Sequence, residues 1–136
     1  MKRILLITGI IIGFGFLLSA QTMVGLSKEE VIERVNKDHR KFRKDASVIK
    51  QRFNYLKYVN GIRTKTWILY FTEDDTCKTS KMICDYSELN DVVGEINEMY
   101  EQKNDSIWEY PFGSELIQVE LIRQEWYFTI RKTRKK

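Results

Sequence analysis

The chain reads as an α+β protein: a two-layer domain in which an antiparallel sheet of about five strands carries two helices on one face, in the order α-βββ-α-ββ. Three observations predict it. Two segments repeat apolar residues at helical spacing, and the runs around them alternate as strands do. Turn residues punctuate those runs at short intervals. The length of 136 residues suits one domain with a modest core.

The first element opens at Ser27-Lys28-Glu29-Glu30, the pattern of a capping box in which hydroxyl and carboxylate serve each other's backbone amides. Ile32, Val35, His39 and Phe42 then recur at helical spacing. Acids fill the first turns and Arg40, Lys41, Arg43 and Lys44 the last, which suits the helix dipole. The spacing predicts a helix from about Lys28 to Lys44. Asn60-Gly61 is a strong hairpin signal, because both residues tolerate positive φ. Aromatic and β-branched residues on either side predict strands near 53–59 and 62–72. Glu73-Asp74-Asp75-Thr76 reads as a second turn, and a third strand follows at Cys77–Asp85.

Ser87 begins the second helix. Leu89, Val92, Val93, Ile96, Met99 and Tyr100 hold the i, i+3, i+4 pattern, with Leu89, Val93, Ile96 and Tyr100 as the expected inner line. Gly94 weakens a helix and is expected to mark close packing. Tyr110-Pro111-Phe112-Gly113 reads as a turn or edge segment. The runs 115–122 and 126–132 alternate and predict a C-terminal hairpin joined by Arg123-Gln124-Glu125. The first helix ends basic and the second is acidic, so their rims would attract if packed side by side.

The N-terminus carries a separate message. Lys2 and Arg3 precede a run of apolar residues from Ile4 to Leu18, interrupted by Thr8 and three glycines. Ser19, Ala20 and polar Gln21 follow. That order is the pattern of a secretory signal peptide, and the run is short for a membrane span, which needs about 20 residues. The reading divides the chain into a signal peptide, 1–20, and a single α+β domain, 21–136, with a short basic C-terminal tail. It predicts export, to the periplasm or beyond, and no stable membrane span after cleavage. Leu18 departs from the small residue usual at that place, and an uncleaved anchor is the alternative.

Removing Lys2 and Arg3 leaves 21 basic and 19 acidic residues. These are segregated: Val24–Lys65 sums to +7, Thr66–Glu125 to −10, and Arg131, Lys132, Arg134, Lys135 and Lys136 add +5. Such an acidic middle argues against a nucleic-acid binder, which would be basic along one face. It suggests internal complementarity or head-to-tail contacts. The five terminal cations form a candidate surface for anionic lipid or polysaccharide, against the simpler reading of a solvated end.

Residues with chemistry are few. His39 is the sole histidine and lies on the apolar stripe of the first helix, where a half-buried packing histidine is the commoner case. There is no HExxH, GxSxG or metal-type Cys/His cluster, and no cofactor is expected. Glu73-Asp74-Asp75 lacks the spacing of a calcium loop. Cys77 and Cys84 are the only cysteines. With a turn at 73–76 they share one strand, beyond the roughly 7 Å reach of a disulfide; with a turn at 79–82 they face each other and bridge. Trp108, Tyr110 and Phe112 alternate beside a proline. They are candidate partner-contact aromatics, unless that face packs over the core.

Gly25-Leu26-Ser27-Lys28-Glu29-Glu30-Val31 resembles the opening of the BamE/SmpA family of outer-membrane assembly lipoproteins, where such a stretch begins a helix ahead of a small antiparallel sheet. The chain departs from that family in having no lipobox cysteine, no Gly-x-Pro after the helix and a second helix between strands. A cysteine-containing strand, the "LNDVVGEINEMY" helix and a tryptophan segment resemble, loosely, small exported proteins of unknown function from Gram-negative bacteria. No functional residue is carried over. The expectation is an exported, noncatalytic binding domain of the bacterial envelope, whose partner is a protein or envelope component. An inhibitor or immunity-type protein and an enzyme with an unrecognised carboxylate site are the alternatives.

Overall fold

Ser27 sets the first helix as its spacing predicts. In the computed structural model, which describes residues 23–47 and 52–135, its hydroxyl accepts from the Glu30 amide and the Glu30 carboxylate accepts from its own. The signal-peptide reading and Lys136 lie outside the described residues. Helix α1 spans Lys28–Asp38 and buries Val31 and Val35, not Ile32. It stops a turn and a half short of expectation. His39 leaves helical geometry as C-cap, and Phe42–Lys44 forms strand β1, paired with β2. Continuing the helix would stack four cations on one another. As a strand, the segment instead lays Phe42 edge-on to Trp67.

Strands β2 (Tyr55–Asn60), β3 (Lys65–Phe71) and β4 (Cys77–Asp85) follow. The expected two-residue Asn-Gly turn is replaced by a wider loop. The Asn60 carbonyl accepts from the Arg63 amide, its side chain accepts from the Lys65 amide, and Arg63 carries the positive φ. A short 3₁₀ turn, Tyr86–Glu88, leads into helix α2, Leu89–Met99. Strands β5 (Glu101–Asn104), β6 (Ile107–Phe112), β7 (Glu115–Arg123) and β8 (Tyr127–Arg134) complete the chain.

Among the described residues the sheet therefore has eight strands, not about five, and the order is α-ββββ-α-ββββ rather than α-βββ-α-ββ. The strands that sequence reading missed are β1, β5 and β6. Two of them are edges, three and four residues long, held by pairing rather than by an apolar pattern of their own. Short charged edges also discourage pairing with other chains. Pro111 is accommodated in β6 because its outer neighbour β5 pairs only as far as Glu109.

All pairings are antiparallel, and the strand order is β1-β2-β3-β4-β8-β7-β6-β5. This order reads the same when each strand of the first half is exchanged for its counterpart in the second, β1 for β5 through β4 for β8. Each half is one helix and a four-stranded meander, and the halves join along β4 and β8. That pairing runs from Thr79↔Thr133 to Asp85↔Tyr127, centred on Met82↔Ile130.

Register places Tyr58, Trp67, Met82, Ile130, Leu121 and Trp108 on one face. The buried residues of α1 pack on the first half of that face, with Leu56, Tyr58, Trp67 and Leu69. Those of α2, Val92 and Ile96, pack on the second half with Trp108, Val119, Leu121 and Phe128. Val92 thus displaces Leu89 and Val93 from the centre of the expected inner line; both remain partly buried at its sides. Gly94 faces open space rather than a close neighbour, whereas Gly25, at φ +94°, lies hard against the Phe112 ring. Among the described residues no helix is long and apolar enough to cross a membrane.

Candidate ligand cleft at the centre of the sheet

The helices do not meet rim to rim through ion pairs; no salt bridge joins α1 to α2 among the described residues. A cleft of about 500 Å³ opens between the end of α1 and the side of α2, within the size range of small-molecule sites. Its floor is the join of the two halves: Met82 and Ile130, the central pair, with Trp67 on one side and Ser80 and Lys132 beyond. One wall is His39 and Phe42. The other is the α2 side, with Ile96 at its base, Tyr100 at its end and Glu95 and Glu98 at the mouth.

Each polar group on the floor has a cause. The Trp67 indole donates from Nε1 to Ser80 Oγ at 2.8 Å, satisfying a buried N–H. His39 meets the same indole edge-on at a centroid distance of 5.1 Å. Burial lowers the His39 pKa, opposed by Asp38 and aided by Lys132. The early end of α1 is what leaves His39 at this wall.

Lys132 is the unusual group. Strand alternation turns it toward the helices beside Phe128 and Ile130, opposite Ser80. Part of its surface stays open to the cleft, but its ammonium is ringed by protein atoms, and desolvation lowers its pKa; Tyr110 and Glu95 oppose that shift. Lys132 Nζ donates to the Tyr100 hydroxyl at 3.0 Å. Burial pushes the Tyr100 phenol up to about 12, so it stays protonated at neutral pH. Tyr100 stacks on Tyr110 with ring centroids 4.6 Å apart, which fixes the hydroxyl.

The other members of the basic terminal stretch are differently engaged. Arg131 pairs with Glu120 and Arg134 with Glu115, each at 2.8 Å, and Lys135 pairs with Glu109. Arg131–Arg134 belong to strand β8, not to a free tail. Lys132 has no carboxylate in ion-pair contact among the described residues. Sequence reading grouped it with the tail, although the alternation Phe128, Ile130, Lys132 already carries the signal that it faces inward.

The aromatic candidates also separate. Trp108 is in the core, its Nε1 donating to Asn97 Oδ1 at 2.8 Å. Tyr110 supports Tyr100, and Phe112 is half-buried over Gly25. They form the inner surface of β6 and not an exposed patch. Cys77 and Cys84 both lie on β4 as free, buried thiols, because the turn falls in the acidic segment, where Thr72 and Asp75 close it. Among the described residues no cluster of His, Cys, Asp or Glu is arranged to hold a metal ion. No protein-family model, no curated protein and no solved structure matches the chain.

Proposed function

We propose that this is an exported, noncatalytic binding domain of the bacterial envelope, and that its ligand site is the cleft at the join of the two halves. The observation that carries the reading is the floor of that cleft. It is centred on the Met82–Ile130 pair and lies between the end of α1 and the side of α2, so it is concave with an apolar centre and a few polar groups, as small-molecule sites are. The few polar groups on it point inward. Among the described residues, the carboxylates at the cleft are Glu95 and Glu98, one turn apart on the exposed side of α2. Both sit on one wall and do not flank a bond from two sides, as the two acids of a glycosidase do. Export is supported by the charged, apolar and small-residue order of residues 1–20.

The binding reading is tested by screening small aromatic and aliphatic fragments against the purified protein by two-dimensional NMR. Shifts should gather on the Trp67 indole, His39, Ile130 and Tyr100. Shifts scattered over the surface, or confined to exposed Trp126 and Ile62, would remove the cleft as the site. Intact mass of the exported protein checks the compartment, with a chain starting at Gln21 expected.

A further inference from the structure

The cleft also indicates which kind of molecule fills it, an inference that rests on the reading above. Three of the four described cations at the end of the chain have glutamate partners. The fourth, Lys132, is the one turned into the cavity, and it has none among the described residues. A desolvated charge with no carboxylate in direct contact is costly, and such a group persists where something else supplies the opposite charge at contact. One of its three protons goes to the Tyr100 hydroxyl, and an ammonium has three to give. Beside it the Trp67 indole, Met82 and Ile130 give the lining an apolar stretch, and the other lysine there, Lys65, is paired with Glu88. At the mouth, Glu95 and Glu98 are exposed on α2.

We infer that the cleft takes a compact organic monoanion with a flat apolar body, whose carboxylate or sulfonate meets the Lys132 ammonium while the body lies over Trp67, Met82 and Ile130. The ammonium and the Tyr100 hydroxyl sit side by side, so two oxygens of one anionic group can engage both. The phenol, kept protonated by burial, swings its proton to the ligand while its oxygen keeps accepting from Lys132. Glu95 and Glu98 disfavour a second negative charge at the outer end. Glu95 already acts on Lys132 electrostatically without touching it, so it competes with the ligand as an internal counter-ion.

The test keeps the body constant and varies the charge. 2-Naphthoate, 2-naphthalenemethanol and 2-naphthylmethylammonium are titrated calorimetrically into the purified protein, its Lys132→Met variant and its Glu95→Gln variant, with folding checked by circular dichroism. Naphthoate should bind roughly tenfold or more tighter than the alcohol, the difference a charge-assisted hydrogen bond makes. Lys132→Met should erase that preference while the alcohol still binds, and Glu95→Gln should strengthen naphthoate severalfold. Equal binding of naphthoate and alcohol, tightest binding of the ammonium, or a preference that survives Lys132→Met would overturn the charge assignment and leave the cleft as a neutral site. If none of the three binds, the cleft reading itself falls.

Discussion

The central strand pair has two ends, and they differ. Exchange of the halves about Met82↔Ile130 carries the pair Cys84↔Phe128 onto Lys132↔Ser80. Cys84 and Phe128, at 1% and 0% exposure, are sealed beneath α2 and packed with Tyr86. Ser80 and Lys132 stand at the matching positions but line the cleft. The same backbone positions therefore hold a stabilising core at one end and a desolvated cation beside a cleft at the other. What separates them is the helix above. The helices are equally long, eleven residues each; the closed end packs under Tyr86 and the buried residues of α2, whereas α1 stops at His39 beside the cleft and leaves the other end open. The cleft is thus an exception to local packing, of the kind that marks functional or strained sites.

The largest effect that would break the comparison is at the closed end. Phe128→Ala should destabilise by about 3–5 kcal/mol, read by urea denaturation, because it leaves a cavity in a fully enclosed site. A small loss would mean that the closed end is as loosely packed as the open one.

Alkaline titration comes next. Burial pushes Cys77, Cys84 and Tyr100 up to about 12. Their folded pKa values are raised, so their contribution is whole below the unfolded values and is lost as pH climbs toward 12. Across that window each group removes about 1.4 kcal/mol per pH unit. Denaturation midpoints should fall steeply above about pH 9. Iodoacetamide at pH 8 should label neither thiol until the protein unfolds, since the thiolate is the reactive form. Fast labelling of Cys84 in the native state would open the closed end.

A smaller effect sharpens the polar end. Trp67→Phe keeps the ring against His39 but deletes the N–H that serves Ser80. It should cost about 1–3 kcal/mol by the same denaturation assay, the range for a buried polar atom losing its partner. Smallest of all, Glu95→Ala removes an exposed carboxylate and should change stability by about 0.5 kcal/mol or less. A loss as large as that of Phe128→Ala would make the acidic face of α2 structural rather than the rim of a site.

Much of this was legible before the structure. The capping box at Ser27, the acidic turn and the bounds of β4 follow from side chains that act on their own neighbours. So does the apolar stripe of α2. The edge strands were not legible, because β5, Glu-Gln-Lys-Asn, has no apolar alternation and becomes a strand only by pairing with β6. The end of α1 was hidden for a related reason. Phe42 fits a helical stripe and a strand equally well, and contact with Trp67 decides between them. The cleft depends on that break, and on the join of two strands 48 residues apart at its centre, Met82 and Ile130. No local pattern reports either. Lys132 was half visible: its alternation was present, but its charge drew it into the company of Arg131 and Arg134.

Lys132 is held in its place against the interest of stability. The direct measurement is the urea-denaturation free energy of Lys132→Met at pH 7. The variant keeps the unbranched stem over the floor and removes the desolvated charge, so it should be more stable than the parent by about 1–2 kcal/mol. A variant less stable than the parent would show that the Lys132 charge stabilises the fold. It would make the Lys132–Tyr100 hydrogen bond a strut of the fold and the cleft a gap in packing.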